Sequence, residues 1–571
     1  MELAGHRPQP PGGTGALRRP GGADCGILTT LRSPITIDLP VVPVGALLDA
    51  AARRYGDRPA LVHHEETLTF RGLWAEACAV AHALVARGVR PGDAVGLHLP
   101  NQLAWPVAYH GILLAGATVA LASPALPAEL LRSQLDDAGV VAVISRDPTL
   151  PDVIATDGRT LDLPTDPADA PPEIDLDPTV ALAHLAYTGG TTGRSKGVEL
   201  THANVVANVL QYIASGSGAV PAPDVHGGIT VEQTSPPEEH PVRLGEAVSL
   251  AVAPWFHAMG TNGLTIGLVT GATAVVQDRF DPAAYLADVE RHRATTLSGA
   301  PAMYHALLAH PDARTRDLSS VRSVTSGASP MAVAQAERIA ALMPNAIVLE
   351  GYGLTEATMA LCTSPSERSA HRRIGTVGAP IANTELALLE VGTGRPGDEP
   401  VGVGERGEIW ARGPQVMRSY HERPDETAEA LVDGWLRTGD IGVVGEDGLV
   451  SVVDRAKDML LFKGYNVYPR ELEERLVARP EVATAAVVGL PDDAVGEFPT
   501  AAVVLSAGSG PDAVAGLLAA VNAEVRPYER LRRVFVVDAL PMSAAGKVLK
   551  RDLREVLLSS ADGPTWLAGD S

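Results

Sequence analysis

Apolar positions become regular from Val42 onward. VGALLDAAARRYG repeats them at helical spacing and stops at Gly56, and the short alternating pieces ALVHH and TLTF that follow read as strands. Helices and strands then take turns. WAEACAVAHALVARG predicts an amphipathic helix closed by Gly88, AVGLHL a buried strand, and WPVAYHGILLAG a second helix leading into the strand ATVALA. Such alternation is the pattern of an α/β unit with largely parallel strands, whose ligands lie beyond the carboxyl ends of those strands.

Two stretches interrupt the rhythm. Thr165 to Asp177 is rich in Pro, Asp and Ala and reads as a surface connection. Residues 214–246 show neither a period of 2 nor one of 3.6 and read as a mobile insertion. At Asp454 the charged run DRAKD gives way to a smaller region of hairpin and helical pieces, which predicts a domain boundary. The expected plan is a disordered leader over 1–40, a large domain over 41–453, a hinge over 454–457, a C-terminal domain over 458–558 and a tail over 559–571.

Composition narrows the class. The 571 residues are 46% hydrophobic and 20% charged, the balance of an ordinary soluble protein rather than of a disordered or fibrous one, and aromatics at 4% leave mostly aliphatic cores. A net charge of −22 repels nucleic-acid backbones and anionic membrane surfaces. Cys25, Cys78 and Cys362 are too few and too scattered for a disulfide framework or a zinc site, which points to a reducing, cytoplasmic setting. The most apolar stretch, Gly111 to Leu131, is broken by Ser123, Pro124 and Pro127, so no membrane span is expected.

Five segments carry candidate chemistry. YTGGTTGRSKG, Tyr187 to Gly197, follows a buried strand: its glycines let backbone N–H groups surround an anion, Thr188, Thr191 and Thr192 add hydroxyls, and Lys196 adds charge. Its spacing is not that of G-x-x-x-x-G-K-[ST]. GYGLTEAT, Gly351 to Thr358, offers a flat ring at Tyr352, a donor at Thr355 and a hard oxygen ligand at Glu356. GWLRTGDIG places Asp440 on a tight turn where a carboxylate accepts from a diol, DRAKDMLLFKGYNVYP contributes Arg455 as a matching donor, and PMSAAGKVLKRDL sets Lys547 after a small-residue turn. Each also has an ordinary reading when taken singly: a glycine turn, a helix-initiating carboxylate, a turn-forming aspartate, a surface ion pair, a solvated lysine.

In this order the five segments resemble the adenylate-forming superfamily of acyl-CoA synthetases, adenylation domains and luciferases, over essentially Val42 to Leu558. The resemblance implies an α/β fold: a large N-terminal domain of layered α/β subdomains plus a β-barrel-like subdomain, and a small mobile α+β C-terminal domain. It also implies ATP, Mg2+ and CoA as co-substrates and activator. By similarity, Thr188, Gly189, Gly190, Thr191, Thr192, Gly193 and Lys196 handle the β- and γ-phosphates, Gly327 and Ala328 border the adenine and Tyr352 stacks on it. Thr355 faces the α-phosphate, Glu356 binds Mg2+, and Asp440 and Arg455 hold the ribose. Lys457 occupies the hinge, Lys547 bridges the acid and the α-phosphate, Gly464 borders the pantetheine channel, and His257 gates the acid pocket, with LSGAPAMYHALL as further apolar lining. Gly189, Ser195 and Ser543 replace the usual Ser, Pro and Thr of relatives, and glycine at 189 is familiar among fatty-acid activators.

The expectation is an ATP-dependent acid-CoA ligase for an apolar carboxylic acid, working through acyl-AMP. One rival keeps the first half-reaction and passes the adenylate to a carrier protein or partner enzyme. A non-catalytic nucleotide or acyl sensor is disfavoured, because Glu356, Asp440, Arg455 and Lys547 are all present.

Overall fold

The computed structural model describes residues 30–163, 168–188, 195–224, 228–327, 331–492, 494–506, 508–510, 512–542, 548–560 and 563–567. Of the expected site residues, Gly189, Gly190, Thr191, Thr192, Gly193, Ala328 and Lys547 lie outside them.

Local capping signals start the helices, and the one expected from Trp74 begins earlier, at Phe70. Thr69 accepts from the Gly72 amide to cap the helix Phe70–Ala86, and Thr201 with Asn204 forms a reciprocal capping box on His202–Ser217. The helix Ala104–Leu114 is apolar on nearly all sides and is buried accordingly, with Trp105 stacked on Tyr109 at 5.0 Å between ring centroids.

Four sheets of six or more strands organise the described residues. One has seven strands, with Leu182–Thr188, Thr118–Leu121, Ala94–His98, Val140–Ser145 and Val153–Ala155 in parallel and Lys196–Thr201 and Ser419–Tyr420 added antiparallel at one edge. A second has nine, with a parallel run through Ile347–Tyr352, Ser323–Ser326, Thr296–Gly299, Val248–Ala251, Thr273–Val276 and Pro59–His63. The third is antiparallel and built around Glu385–Leu389, Arg406–Arg412, Trp435–Val444 and Val450–Arg455. The fourth forms the small C-terminal α+β domain from Leu460 onward, with the long hairpin Val482–Asp492 and Gly496–Leu505 against helices Pro469–Val477, Ala513–Ala523 and Lys550–Ser559. No described helix is long and apolar enough to cross a membrane.

Three expectations are corrected. The stretch 214–246 is not without regular structure: Ala219–Pro223 and Ile229–Gln233 pair as an antiparallel hairpin, with Ala219 and Val231 buried in the main core. Its register was hidden because Pro221 and Pro223 mask strand alternation, while Arg54 from a distant helix donates to Val231 and Thr230 to hold it. Residues 30–40 are not all leader. Leu31–Arg32 pairs with Glu385–Leu389, Ile37 is buried, and Asn383 exchanges two hydrogen bonds with the Ile37 backbone.

The third concerns LSGAPAMYHALL. Leu297, Met303, Tyr304 and Leu307 turn into a separate core of the nine-stranded sheet, and Ser298, Pro301, Ala302 and His305 face the central cleft instead. Apolar side chains on one face of the helix Pro301–Ala309 follow the larger burial available against the sheet.

Candidate active site

Carboxyl ends of parallel strands from the two large sheets open onto one cleft of about 2310 Å³, bordered by Leu121, Thr188, Ala251, Ser298, Ser326, Gly327 and Tyr352. This is where side chains leave the ladders and backbone groups become free to bind ligands.

One corner is made by strand register. Asp440 and Arg455 are direct cross-strand partners on the antiparallel pair Trp435–Val444 and Val450–Arg455, and Arg455 Nε lies 2.9 Å from Asp440 Oδ1. The Tyr352 hydroxyl donates to Asp440 Oδ2 at 2.8 Å. The Asp440 carboxylate is only 5% exposed, and each oxygen keeps acceptor capacity beyond the donor it already has. Its charge holds the Arg455 guanidinium above its ordinary range, while burial, reinforced by Asp440, pushes the Tyr352 hydroxyl up.

A second corner joins three elements. Thr188 and Lys196 are Cα partners at the base of the Gly/Thr-rich loop. The Lys196 ammonium lies 4.9 Å from the ring centroid of Tyr420, whose hydroxyl donates to Glu356 Oε1 at 2.8 Å. Burial, then the neighbouring Glu356 charge, raises the Tyr420 hydroxyl well above its usual range. Glu356 sits with Thr355 in the short turn Thr355–Ala357. That turn is tied down by the Met417 amide to the Glu356 carbonyl and by the buried Thr358 hydroxyl to Gln415 O.

Sequence reasoning missed Tyr420 and its anchor Glu199. The Glu199 carboxylate, 8% exposed, accepts from Arg418 Nε and Nη2 at 3.0 and 2.8 Å and contacts Ser419 Oγ and His421 Nδ1, clamping the segment that carries Tyr420. The available signal was a single acidic residue inside the apolar strand KGVELT, since a buried carboxylate demands partners.

His257 caps the helix Ala258–Thr270, its Nδ1 accepting from the Met259 amide at 3.4 Å, and lines the cleft with Trp255, Phe256 and Met259. Asn101 fixes this segment by accepting from the Trp255 amide and donating to Ala253 O, both at 2.9 Å. Gly260 is obligatory, because a Cβ there would lie 2.0 Å from Pro254 O.

At the domain junction Lys457 also faces the cleft; burial, then the Arg455 charge, lowers its ammonium below its ordinary range. Next to it Asp454 is buried, accepts from the Arg455 and Arg470 amides, and has its carboxyl pushed up to about 6 by that burial. Lys550 reaches Glu473 at 2.9 Å; burial works against its charge, yet Glu473, Asp454 and Asp458 outweigh it and hold the ammonium above its usual range. The small domain therefore presents the Val548–Lys550 side to the cleft. Gly464 is not brought to that cleft. It sits exposed at the tip of the hairpin Leu460–Phe462 and Tyr465–Val467, where Lys463 (φ 51°) and Gly464 (φ 81°) make a two-residue left-handed turn.

The family model of the AMP-binding enzyme matches residues 48–421, and that of the AMP-binding enzyme C-terminal domain matches 471–547. The chain is 36% identical over 531 residues to 4-coumarate–CoA ligase-like 6 of Oryza sativa subsp. japonica, covering 90% of this chain and 85% of the relative. It is 32% identical over 569 residues to the long-chain-fatty-acid–CoA ligase of Bacillus subtilis (strain 168), covering 91% and 96%. ATP-bound MatB from Rhodopseudomonas palustris superimposes with a TM-score of 0.77 at 27% identity, over 91% of this chain and 99% of that one.

Proposed function

The chain belongs to the AMP-binding enzymes and is an AMP-forming acid–thiol ligase, and from that premise we propose that it activates an apolar carboxylic acid as acyl-AMP and transfers the acyl group to CoA. In the first step a carboxylate oxygen attacks the α-phosphorus of ATP, and the bond to the bridging oxygen breaks with its electron pair leaving on pyrophosphate. In the second the CoA thiolate attacks the acyl carbon and AMP departs. The observation that carries this reading is the convergence of Asp440, Arg455, Tyr352, Glu356, Tyr420 and Lys196, from separate parts of the chain, on one cleft.

The roles follow from charge. Two anions must meet, so the barrier is lowered mainly by fixed positive charge and alignment rather than by a general base. Lys196 and the Thr188 loop suit the outer phosphates, Asp440 and Arg455 the ribose hydroxyls, and Lys547 the acid and α-phosphate. Glu356 fits a Mg2+ arriving with ATP: it is a hard oxygen donor facing the cleft, oriented at one oxygen by Tyr420, and the ion would offset phosphate charge there.

Support for an apolar acid comes from the apolar part of the cleft lining. Trp255, Phe256, Met259, Leu264, Ile266 and Leu268 border the cleft, while a Cβ at Gly263 would meet nothing within 4 Å, leaving room for a ring or chain. The acids in the names of two relatives, 4-coumarate and long-chain fatty acids, are both largely apolar. The test is pyrophosphate release across fatty, aryl and polycyclic acids with mass detection of the CoA product. Turnover restricted to polar amino or dicarboxylic acids would overturn the substrate class, and AMP formation without any thioester would overturn the acceptor.

A further inference from the structure

Far from the catalytic groups in the sequence, the strands Pro59–His63 and Glu66–Thr69 form a tight hairpin, and His63 and His64 stand at its turn. Successive side chains on a strand point to opposite faces. Here His64 adopts a left-handed backbone (φ 53°), which breaks that alternation and brings both rings to one side, 4.3 Å apart between centroids.

Both imidazoles meet a single carboxylate. His63 Nε2 lies 2.7 Å from Asp278 Oδ1, and His64 Nε2 lies 3.0 Å from Asp278 Oδ2. Asp278 is 215 positions away from His63 in the chain, but the parallel ladder between Pro59–His63 and Thr273–Val276 pairs Leu61 with Ala274 and Val62 with Val275. The ladder therefore delivers His63 and Asp278 to the carboxyl ends of two adjacent strands of the nine-stranded sheet. His63 is 18% exposed and held, while His64 is 71% exposed and leaves the outer side open to solvent.

We propose that His63, His64 and Asp278 form a binding site for a divalent transition cation of the zinc type, separate from the Mg2+ position at Glu356. Two imidazole nitrogens and one carboxylate oxygen, mutually within 4.8 Å, are the donor set of a three-ligand site with an outer position left to water. It is the one such cluster of His, Cys, Asp or Glu among the described residues. A borderline-soft ion is favoured over Mg2+ because two of the three donors are nitrogen. Bound there, the ion ties the hairpin turn to the segment after Thr273–Val276 and stabilises the folded chain by linkage.

The test uses the full-length chain, washed free of metal and kept in excess Mg2+, with Zn2+ titrated by calorimetry and its effect on Tm recorded. One Zn2+ per chain is expected, raising Tm. His64→Gln and Asp278→Asn each weaken its binding roughly tenfold or more and remove the Tm rise. Both variants retain the wild-type rate of pyrophosphate release, which serves as the check on folding. Absence of Zn2+ binding to the wild type, unchanged binding in both variants, or loss confined to one of them overturns the three-ligand site.

Discussion

Tyr420 donates a hydrogen bond from its hydroxyl to Glu356 Oε1 at 2.8 Å while the Lys196 ammonium lies 4.9 Å from its ring centroid. One side chain thus orients the carboxylate proposed for Mg2+ and steadies the lysine proposed for phosphate, and Tyr420 pairs with Val198 across the ladder.

Tyr420→Phe keeps the ring and removes only the hydrogen bond to Glu356. A hydrogen bond to a charged group contributes about 1.5–3 kcal/mol, so pyrophosphate release should fall roughly tenfold to a hundredfold, with part of the loss recovered at high Mg2+. Tyr420→Leu, which also removes the cation–π contact, should lose more. Rates measured against Mg2+ concentration check both; a Phe variant with the wild-type Mg2+ profile contradicts the positioning role.

Asp440→Asn should raise the KM for ATP by roughly tenfold or more while the chain stays folded. Its Arg455 partner is part-exposed at the cleft, so solvent tempers the loss of the ion pair, but the charge proposed to accept from the ribose hydroxyls is gone. ATP titration of the initial rate, with a melting curve alongside, separates the two effects.

Lys547→Ala and Gly464→Trp should divide the half-reactions. The first should lower acid-dependent pyrophosphate release by roughly a hundredfold or more with ATP binding preserved, as expected for charge that acts in the transition state. The second should spare pyrophosphate release and block thioester formation, since Gly464 lies away from the cleft in the arrangement that presents Val548–Lys550 to it. Gly464→Ala is the control for backbone strain at φ 81°. Equal loss of both steps in the Trp variant, beyond that of the Ala control, contradicts the channel assignment.

Stability should fall with acid below neutrality. Burial lowers His110 and His184 to about 3 and His202 to about 4, so none is charged in the folded chain above those values. The unfolded chain takes up protons near the ordinary 6.5, hence each histidine costs about 1.4 kcal/mol per pH unit as pH drops from 6.5 towards 4. Neither ring nitrogen of His110 has a hydrogen-bond partner among the described residues. His110→Phe should therefore flatten the dependence of Tm on pH, and an unchanged slope would refute the assignment.

The helices and parallel strands before about residue 122 were legible because each is a local matter of period and glycine stop, as at Gly56 and Gly88. Glu356, Asp440, Arg455 and Lys196 could be picked out as cleft residues because each sits in a short motif rich in glycine, hydroxyl and charged positions. Other features were hidden. The hairpin of 219–233 is held by Arg54, and the apolar residues of 297–307 choose between cleft and core according to what packs behind them.

By itself the sequence determined the fold class, the family and a few of the residues that line the cleft, among them Tyr352, Glu356, Asp440 and Arg455, since these rest on short-range pattern and motif chemistry. Only the tertiary structure decided that Glu199 clamps the segment bearing Tyr420, that Tyr420 reaches Glu356, and that His63 and His64 meet Asp278. The physical reason is sheet register: hydrogen-bonded ladders join strands far apart in the chain, and a side chain's neighbours across a ladder follow from that pairing rather than from its own surroundings in the sequence.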